Sequence, residues 1–250
     1  MNLANNGIID YFCNKIADQV SESMNYQIIV AAGSGSRYGG NLPKQFCNLF
    51  GRPLLMTTIE RLHDCDSKSE IIVVLSSEMT DEWKRMCHEH GFTLPHTIVH
   101  GGASRAASVK NAIDHIEHLD TQAGWISIHD AARPVITCRL FNDILKGLLD
   151  ADGALPAYRL SDSIRHIEAD GKSTAVDRTH YRAVQTPQIF HADKLIAAYR
   201  QELRPDFTDD ASVMEAAGYS NLNLVEGDPH NIKVTNPGDM EVAELYLSHI

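Results

Sequence analysis

The first residues whose types and spacing suit chemistry lie at 27–45, QIIVAAGSGSRYGGNLPKQ. Gly33, Gly35, Gly39 and Gly40 let the backbone turn tightly and come close to a ligand. Free backbone N–H groups in such a loop make a concave anion site. Arg37 and Lys44 add two full positive charges to it. A neutral glycine loop suits a phosphate chain, and one with two cations also suits negative charge that builds up during a reaction. The spacing Gly33-x-Gly35-x-x-x-Gly39 is not the dinucleotide fingerprint, and no Gly-Lys-Ser/Thr follows as in a Walker A loop. Taken alone, the stretch also reads as a surface loop between a strand and a helix.

Three further segments carry suitable groups. His129-Asp130-Ala131-Ala132-Arg133-Pro134 follows a buried-strand pattern. A carboxylate at a strand end, opposite a phosphate loop, is a natural Mg²⁺ ligand, because that ion takes one or two carboxylates plus phosphate oxygens and water. Asp130 reads equally as the cap of the following turn, paired with Arg133. In residues 101–108, GGASRAAS, small side chains let a flat base approach the backbone. Ser108 can hydrogen-bond a base edge there, while Ser104 caps the helix that follows. Lys233, in NIKVT, stands within reach of a phosphate, or is a solvated surface charge.

These segments need elements to hold them. Ile28, Ile29 and Val30 form a short β-branched run, as in a buried parallel strand. Similar runs at 70–76, 96–100, 125–128 and 153–157 alternate with helical patterns at 54–65, 81–90, 104–119 and 139–151. A short extended piece is expected at 46–50, and Pro53 is expected as a first helical residue. Thr137 is expected to cap one helix and Thr208 another, with Gly91 and Gly218 as helix stops. The alternation predicts an α/β fold, a Rossmann-like, mostly parallel sheet with helices on both faces. Ligands bind such folds outside the carboxyl ends of the strands, so the three glycine- and aspartate-bearing segments should share one rim.

The rhythm breaks between residues 159 and 185. Residues 161–167 and 173–177 are β-like around the turn Ala169-Asp170-Gly171, and apolar residues are sparse. A hairpin this polar is marginal alone. It reads as a projecting arm that packs on a second subunit in a two-fold dimer. Beyond it, strands are expected at 221–226 and 231–234, then a last helix from Pro237. Residues 1–23 stand apart as an N-terminal extension with a rough helical stripe, dispensable for catalysis. Residues 24–250 form a single domain.

Composition bounds the partners. The chain has 250 residues and a net charge of −11, so a broad basic face for nucleic acid is not expected. The five cysteines are far apart and include no Cys-x-x-Cys pair. They read as reduced packing residues of a cytoplasmic protein, not as a disulfide framework or zinc site. No run has the length of a membrane span, and residues 1–23 lack a secretory pattern.

Taken in order, AAGSGSR with PKQ, GGASRAASV, HDAARP, DSI, DR, TPQ, TDDAS and NIKVT resemble the 2-C-methyl-D-erythritol 4-phosphate cytidylyltransferases. The resemblance runs from about residue 26 to the C-terminus. It implies a homodimer that joins CTP to a sugar-alcohol phosphate with Mg²⁺ and releases pyrophosphate. The catalytic cations of that family fall on Arg37, Lys44 and Lys233. Its nucleotide contacts fall on Ala31, Ala32, Gly33, Gly35, Gly102, Ser108 and Ala131, and its metal ligand on Asp130. Its substrate contacts fall on Arg133, Ser163, Arg178, Thr186 and Thr208, with Ser163 and Arg178 reaching the partner's site from the arm. Ser163 departs from the usual threonine but keeps a hydroxyl. A ribitol-5-phosphate cytidylyltransferase is the nearest alternative. A dinucleotide-dependent reductase and a non-catalytic nucleotide sensor are more distant ones.

Overall fold

In chain order the elements are β1 (Met24–Val30), β2 (Asn48–Leu49), β3 (Arg52–Pro53), α1 (Leu54–Cys65), β4 (Glu70–Leu75), α2 (Thr80–Glu89), β5 (Thr97–His100), α3 (Arg105–His118), β6 (Ala123–Asp130), α4 (Cys138–Gly147), β7 (Gly153–Arg159), β8 (Arg165–Ile167), β9 (Ser173–Ala175), β10 (Arg182–Val184), β11 (Gln188–His191), α5 (Ala192–Tyr199), α6 (Asp210–Ala216), β12 (Leu222–Glu226) and α7 (Gly238–Leu247). The computed structural model describes residues 23–33, 42–119 and 122–250.

Eight strands form one sheet in the order β10-β7-β11-β6-β1-β4-β5, with β12 on the far edge of β7. β1 runs parallel to β4 and β6, and β4 parallel to β5. β11 and β10 run antiparallel to their neighbours, whereas β12 is parallel to β7. The α/β, mostly parallel reading of the sequence holds.

Uninterrupted apolar runs become doubly covered strands. Along β4, Ile71, Val73 and Leu75 join a core with α1, α2 and α4, while Ile72 and Val74 join a core with α3, α5 and α6. Successive side chains of a strand point to opposite faces, so a run apolar at every position needs helices on both sides. β1 divides in the same way, with Ile29 on one face and Tyr26 and Ile28 on the other. A third apolar cluster lies under α7 and includes Leu49, Leu54, Val234 and Met240.

Several boundaries differ from the sequence reading. Residues 44–46 form a 3₁₀ turn, so extended backbone begins only at Asn48. Pro53 is the cap residue before α1 and not its first helical residue. Asp209, not Thr208, caps α6, because its carboxylate accepts the Ser212 N–H while the Ser212 hydroxyl accepts the Asp209 N–H. Residues 231–234 are irregular instead of a strand; Val234 makes one backbone bond, to Ala132 O. Thr137 and Ser104 cap their helices as expected. Gly91 and Gly218 follow α2 and α6 at φ +60° and +92°.

β8 and β9 pair with each other around a turn that places Gly171 at φ +84°. Their residues are exposed or half-buried, including Ile167 at 62%.

Candidate active site

β1 is the strand at which chain direction across the sheet reverses. The next long strand, β4, lies on one side of it and β6 returns on the other. The carboxyl end of such a strand opens into a crevice. A cavity of about 530 Å³ lies there, walled by Ala31–Gly33, 102–105, Ser108, Asp130–Ala132, Lys44, Gln45, Lys233 and Thr235.

The approach of the 101–108 segment depends on its glycines. A Cβ on Gly101 would lie 2.4 Å from Ala32 Cβ, and one on Gly102 would lie 2.6 Å from Ala107 Cβ. Ser108 locks the bend: its Oγ accepts the Gly102 N–H at 3.1 Å and donates to Ser104 O at 2.9 Å. The hydroxyl proton is therefore spent. What Ser108 offers a ligand is an acceptor lone pair, suited to an amino group on a base. On the opposite wall Gln45 Nε2 donates to Ala31 O at 2.6 Å and to Gly33 O at 3.0 Å. That ties the PKQ segment to the end of β1. Lys44 Nζ donates to Val234 O at 2.7 Å, so Lys44 and the 231–235 segment meet on one wall.

Asp130 ends β6 at the cavity floor, almost buried and surrounded by cations. Lys233 Nζ lies 2.6 Å from Oδ2, Arg105 Nε lies 3.3 Å from Oδ1, and Arg133 Nε lies 3.8 Å from Oδ2. Burial opposes ionisation of this carboxyl, but Arg105 and Lys233 outweigh it and hold its pKa far below the usual range. Lys233 is thus an ion-pair partner and not a solvated charge. The Arg133 pairing considered from sequence is the loosest of the three contacts.

Behind Asp130 lies a closed hydrogen-bond path. The Asp130 N–H donates to Thr186 Oγ1 at 3.0 Å. Thr186 Oγ1 lies 3.1 Å from His129 Nδ1, and His129 Nε2 lies 3.0 Å from Arg133 O. A carbonyl only accepts, so Nε2 carries the proton and Nδ1 accepts from the threonine hydroxyl. Burial of His129 pushes its pKa down to about 4, which keeps this neutral tautomer at pH 7. Asn231 Nδ2 donates to Thr186 O, and Asn231 O accepts from Arg133 Nη1 and Gln185 Nε2. The sequence 231–235 therefore works as an anchored loop.

The structure brings Ala31, Ala32, Gly33, Lys44, Gly102, Ser108, Asp130, Ala131 and Lys233 to one cavity. Gly35 and Arg37 lie outside the described residues. Arg133 and Thr186 stand directly behind Asp130. Ser163 and Arg178 lie on the exposed arm segment, where Arg178 Nη1 donates to Ser161 O. Thr208 is exposed beside the α6 cap. Sequence reasoning missed Arg105, Gln45 and Thr235, which line the cavity, and Asp210 behind Arg105. Arg105 and Gln45 both stood inside motifs that were singled out, so a signal existed for them. Thr235 and Asp210 likewise stand inside NIKVT and TDDAS, but nothing in TDDAS separates Asp210 from its neighbour Asp209.

Mg²⁺ fits this donor set in one way. No group of three or more metal-ligating side chains occurs among the described residues, and Asp130 is the carboxylate that reaches the cavity. One carboxylate with the rest of the shell from phosphate oxygens and water is an ordinary Mg²⁺ arrangement.

Comparisons with known proteins point to one family. A family model described as 2-C-methyl-D-erythritol 4-phosphate cytidylyltransferase matches residues 26–249. A protein of that name from Bacteroides fragilis is 42% identical over 220 residues, 88% of this chain and 98% of its own. One from Symbiobacterium thermophilum is 37% identical over 223 residues, 88% of this chain and 91% of its own. Among solved structures, the Francisella tularensis protein of that name superposes with a TM-score of 0.73 at 27% identity, covering 90% of this chain and 100% of its own. By that model match and these likenesses, the chain belongs to the 2-C-methyl-D-erythritol 4-phosphate cytidylyltransferase family.

Proposed function

We propose that the protein transfers CMP from CTP to 2-C-methyl-D-erythritol 4-phosphate, giving CDP-methylerythritol and pyrophosphate. The observation that carries this reading is the crevice at the end of β1, where Gly33, the Gly102–Arg105 bend, Lys44 and the cation-ringed Asp130 line one cavity. A phosphate oxygen of the acceptor forms a bond to the α-phosphorus of CTP as the bond to the departing pyrophosphate oxygen breaks. That nucleophile is already anionic at pH 7, so the step needs no general base. The protein's work is alignment and charge stabilisation. Lys44 meets charge on the phosphates, and Lys233 is the second cation poised at their floor. Asp130 would hold Mg²⁺, which supplies neutralisation of triphosphate charge when bound. The acceptor lone pair of Ser108 suits the cytosine amino group.

Arg133, Thr186, Thr208 and the arm residues Ser163 and Arg178 are assigned to the sugar phosphate, the arm acting from a partner subunit. The exposed apolar groups of the arm region, Ile167, Tyr181 and Val184, support a two-fold dimer through it. Four cysteines of the described residues are free. No described helix is long and apolar enough to cross a membrane. Both suit an enzyme of a reducing aqueous compartment such as the cytoplasm.

Pyrophosphate release from CTP tests the reading. Release should require methylerythritol phosphate and be much slower with ribitol 5-phosphate. Equal or faster release with the ribitol ester would move the protein to the other acceptor. No release with either would remove the transferase reading.

A further inference from the structure

Asp210 takes no part in the chemistry above, yet it is the fully buried carboxylate of the described residues. A buried charge is costly unless it is paired. Helix capping does not explain it, because Asp209 already caps α6. Its oxygens face two groups. Tyr199 OH donates to Oδ1 at 2.6 Å, and Arg105 Nη2 lies 2.8 Å from Oδ2. Among the described residues neither Arg105 Nη2 nor Asp210 Oδ2 makes a hydrogen bond, so the ion pair is what each of them has.

Arg105 is thus held between two carboxylates, with Asp210 behind and Asp130 at the cavity floor. The contact to Asp210 is the shorter of the two. The far end is fixed as well: Gln188, fully buried, accepts the Ala211 N–H at 3.0 Å and donates to Asp209 Oδ2 at 2.9 Å. This pins the start of α6 to β11. Without the Asp210 charge, the Arg105 guanidinium would have Asp130 as its sole carboxylate and would turn fully onto it. Oδ1 of Asp130 would then be taken by Arg105, as Oδ2 already is by Lys233, and be less open to the cation of a bound nucleotide.

We propose that Asp210 is a positioning residue: it draws Arg105 back from Asp130 and so keeps an Asp130 oxygen open for the divalent cation that would accompany the triphosphate. The proposal rests on the reading of Asp130 as part of the triphosphate site.

The test compares Asp210→Asn, Arg105→Lys and the double variant by kinetics and by calorimetric binding of CTP, with thermal midpoints measured alongside. Asp210→Asn keeps the shape and a partner for Tyr199 but removes the charge. It should raise KM for CTP about tenfold and leave KM for the sugar phosphate nearly unchanged. Arg105→Lys keeps a charge but loses the fork that spans both carboxylates. The double variant should be no worse than the worse single one, because Asp210 acts through Arg105. Multiplying losses, or an unchanged KM for CTP with only a lowered thermal midpoint, would overturn the proposal. Should Asp210→Asn fail to fold, Tyr199→Phe removes one anchor and should give a smaller rise in the same KM; no rise would count against the proposal. Asp130→Asn separates the two ideas. Full activity of that variant overturns the triphosphate reading itself. An inactive Asp130→Asn beside a normal Asp210→Asn overturns only the positioning role.

Discussion

At the scale of single residues, the site combines charge with groups that hold charge in place. Lys44 stands for the first kind. Lys44→Ala should lower kcat by roughly 10²–10³, the usual cost of one preorganised electrostatic donor, and steady-state kinetics will show it. His129 stands for the second. Its pKa is pushed down to about 4 by burial, against 6.5 in an open chain. The unfolded chain therefore binds a proton that the folded one refuses. Stability is complete above about pH 6.5 and falls as pH drops toward 4. The shift caps the loss at about 3 kcal/mol. Asp130 is also depressed, so its contribution is lost only in stronger acid, below the ordinary carboxylate range. Chemical denaturation at several pH values should show a slope between pH 6.5 and 4 that His129→Gln flattens. Gln45 also belongs here, because its side chain is nearly buried and binds two backbone carbonyls. Gln45→Ala should destabilise by about 1–3 kcal/mol by orphaning them, and a urea titration would measure that.

At the scale of elements, the rim of the sheet does most of the assembly. Three βα connections and the anchored 231–235 segment bring residues from distant parts of the sequence to one crevice. The arm is the outlier. Its strands pair only three residues with three, and its apolar Ile167 points into solvent in the single chain. Ile167→Asp should weaken self-association, read as a lower sedimentation coefficient at micromolar concentration. An unchanged coefficient would take the arm out of the interface. Arg178→Ala should raise KM for the sugar phosphate by roughly tenfold, the scale of a lost charged hydrogen bond, and leave KM for CTP alone. The opposite pattern would move Arg178 to the nucleotide.

At the scale of the whole molecule, the described body begins at Ser23, and the family match begins at residue 26. A chain beginning at Met24 should turn over CTP at the parental rate within about twofold, the scatter expected of changes remote from a site. A folded but inactive truncation would give residues 1–23 a role in catalysis. The net charge of −11 leaves the cluster at the cavity floor as a local exception, with Arg105, Arg133 and Lys233 around one carboxylate. Such a local field draws an anionic ligand to one place on an acidic molecule.

Much of this was legible in the amino-acid order. Runs such as IIVVL at 71–75, apolar at every position, specify strands covered on both sides, because a period of two leaves neither face polar. Ser104 and Thr137 announce helix starts through their own hydroxyls. Glycine pairs mark a close approach because no other residue fits 2.4 Å from a neighbouring Cβ. These are local rules, and local order encodes them. The sequence could not decide that 231–234 would be an anchored loop, since Asn231 and Lys233 are held by Thr186 and Asp130, residues far away in the chain. Nor could it separate Asp209 from Asp210, two adjacent carboxylates of which one caps a helix and the other meets Arg105. The order of residues determined which groups exist and which strand ends carry them. Only the packed sheet decided which charges face one another, because Coulomb energy depends on distance through space and not along the chain.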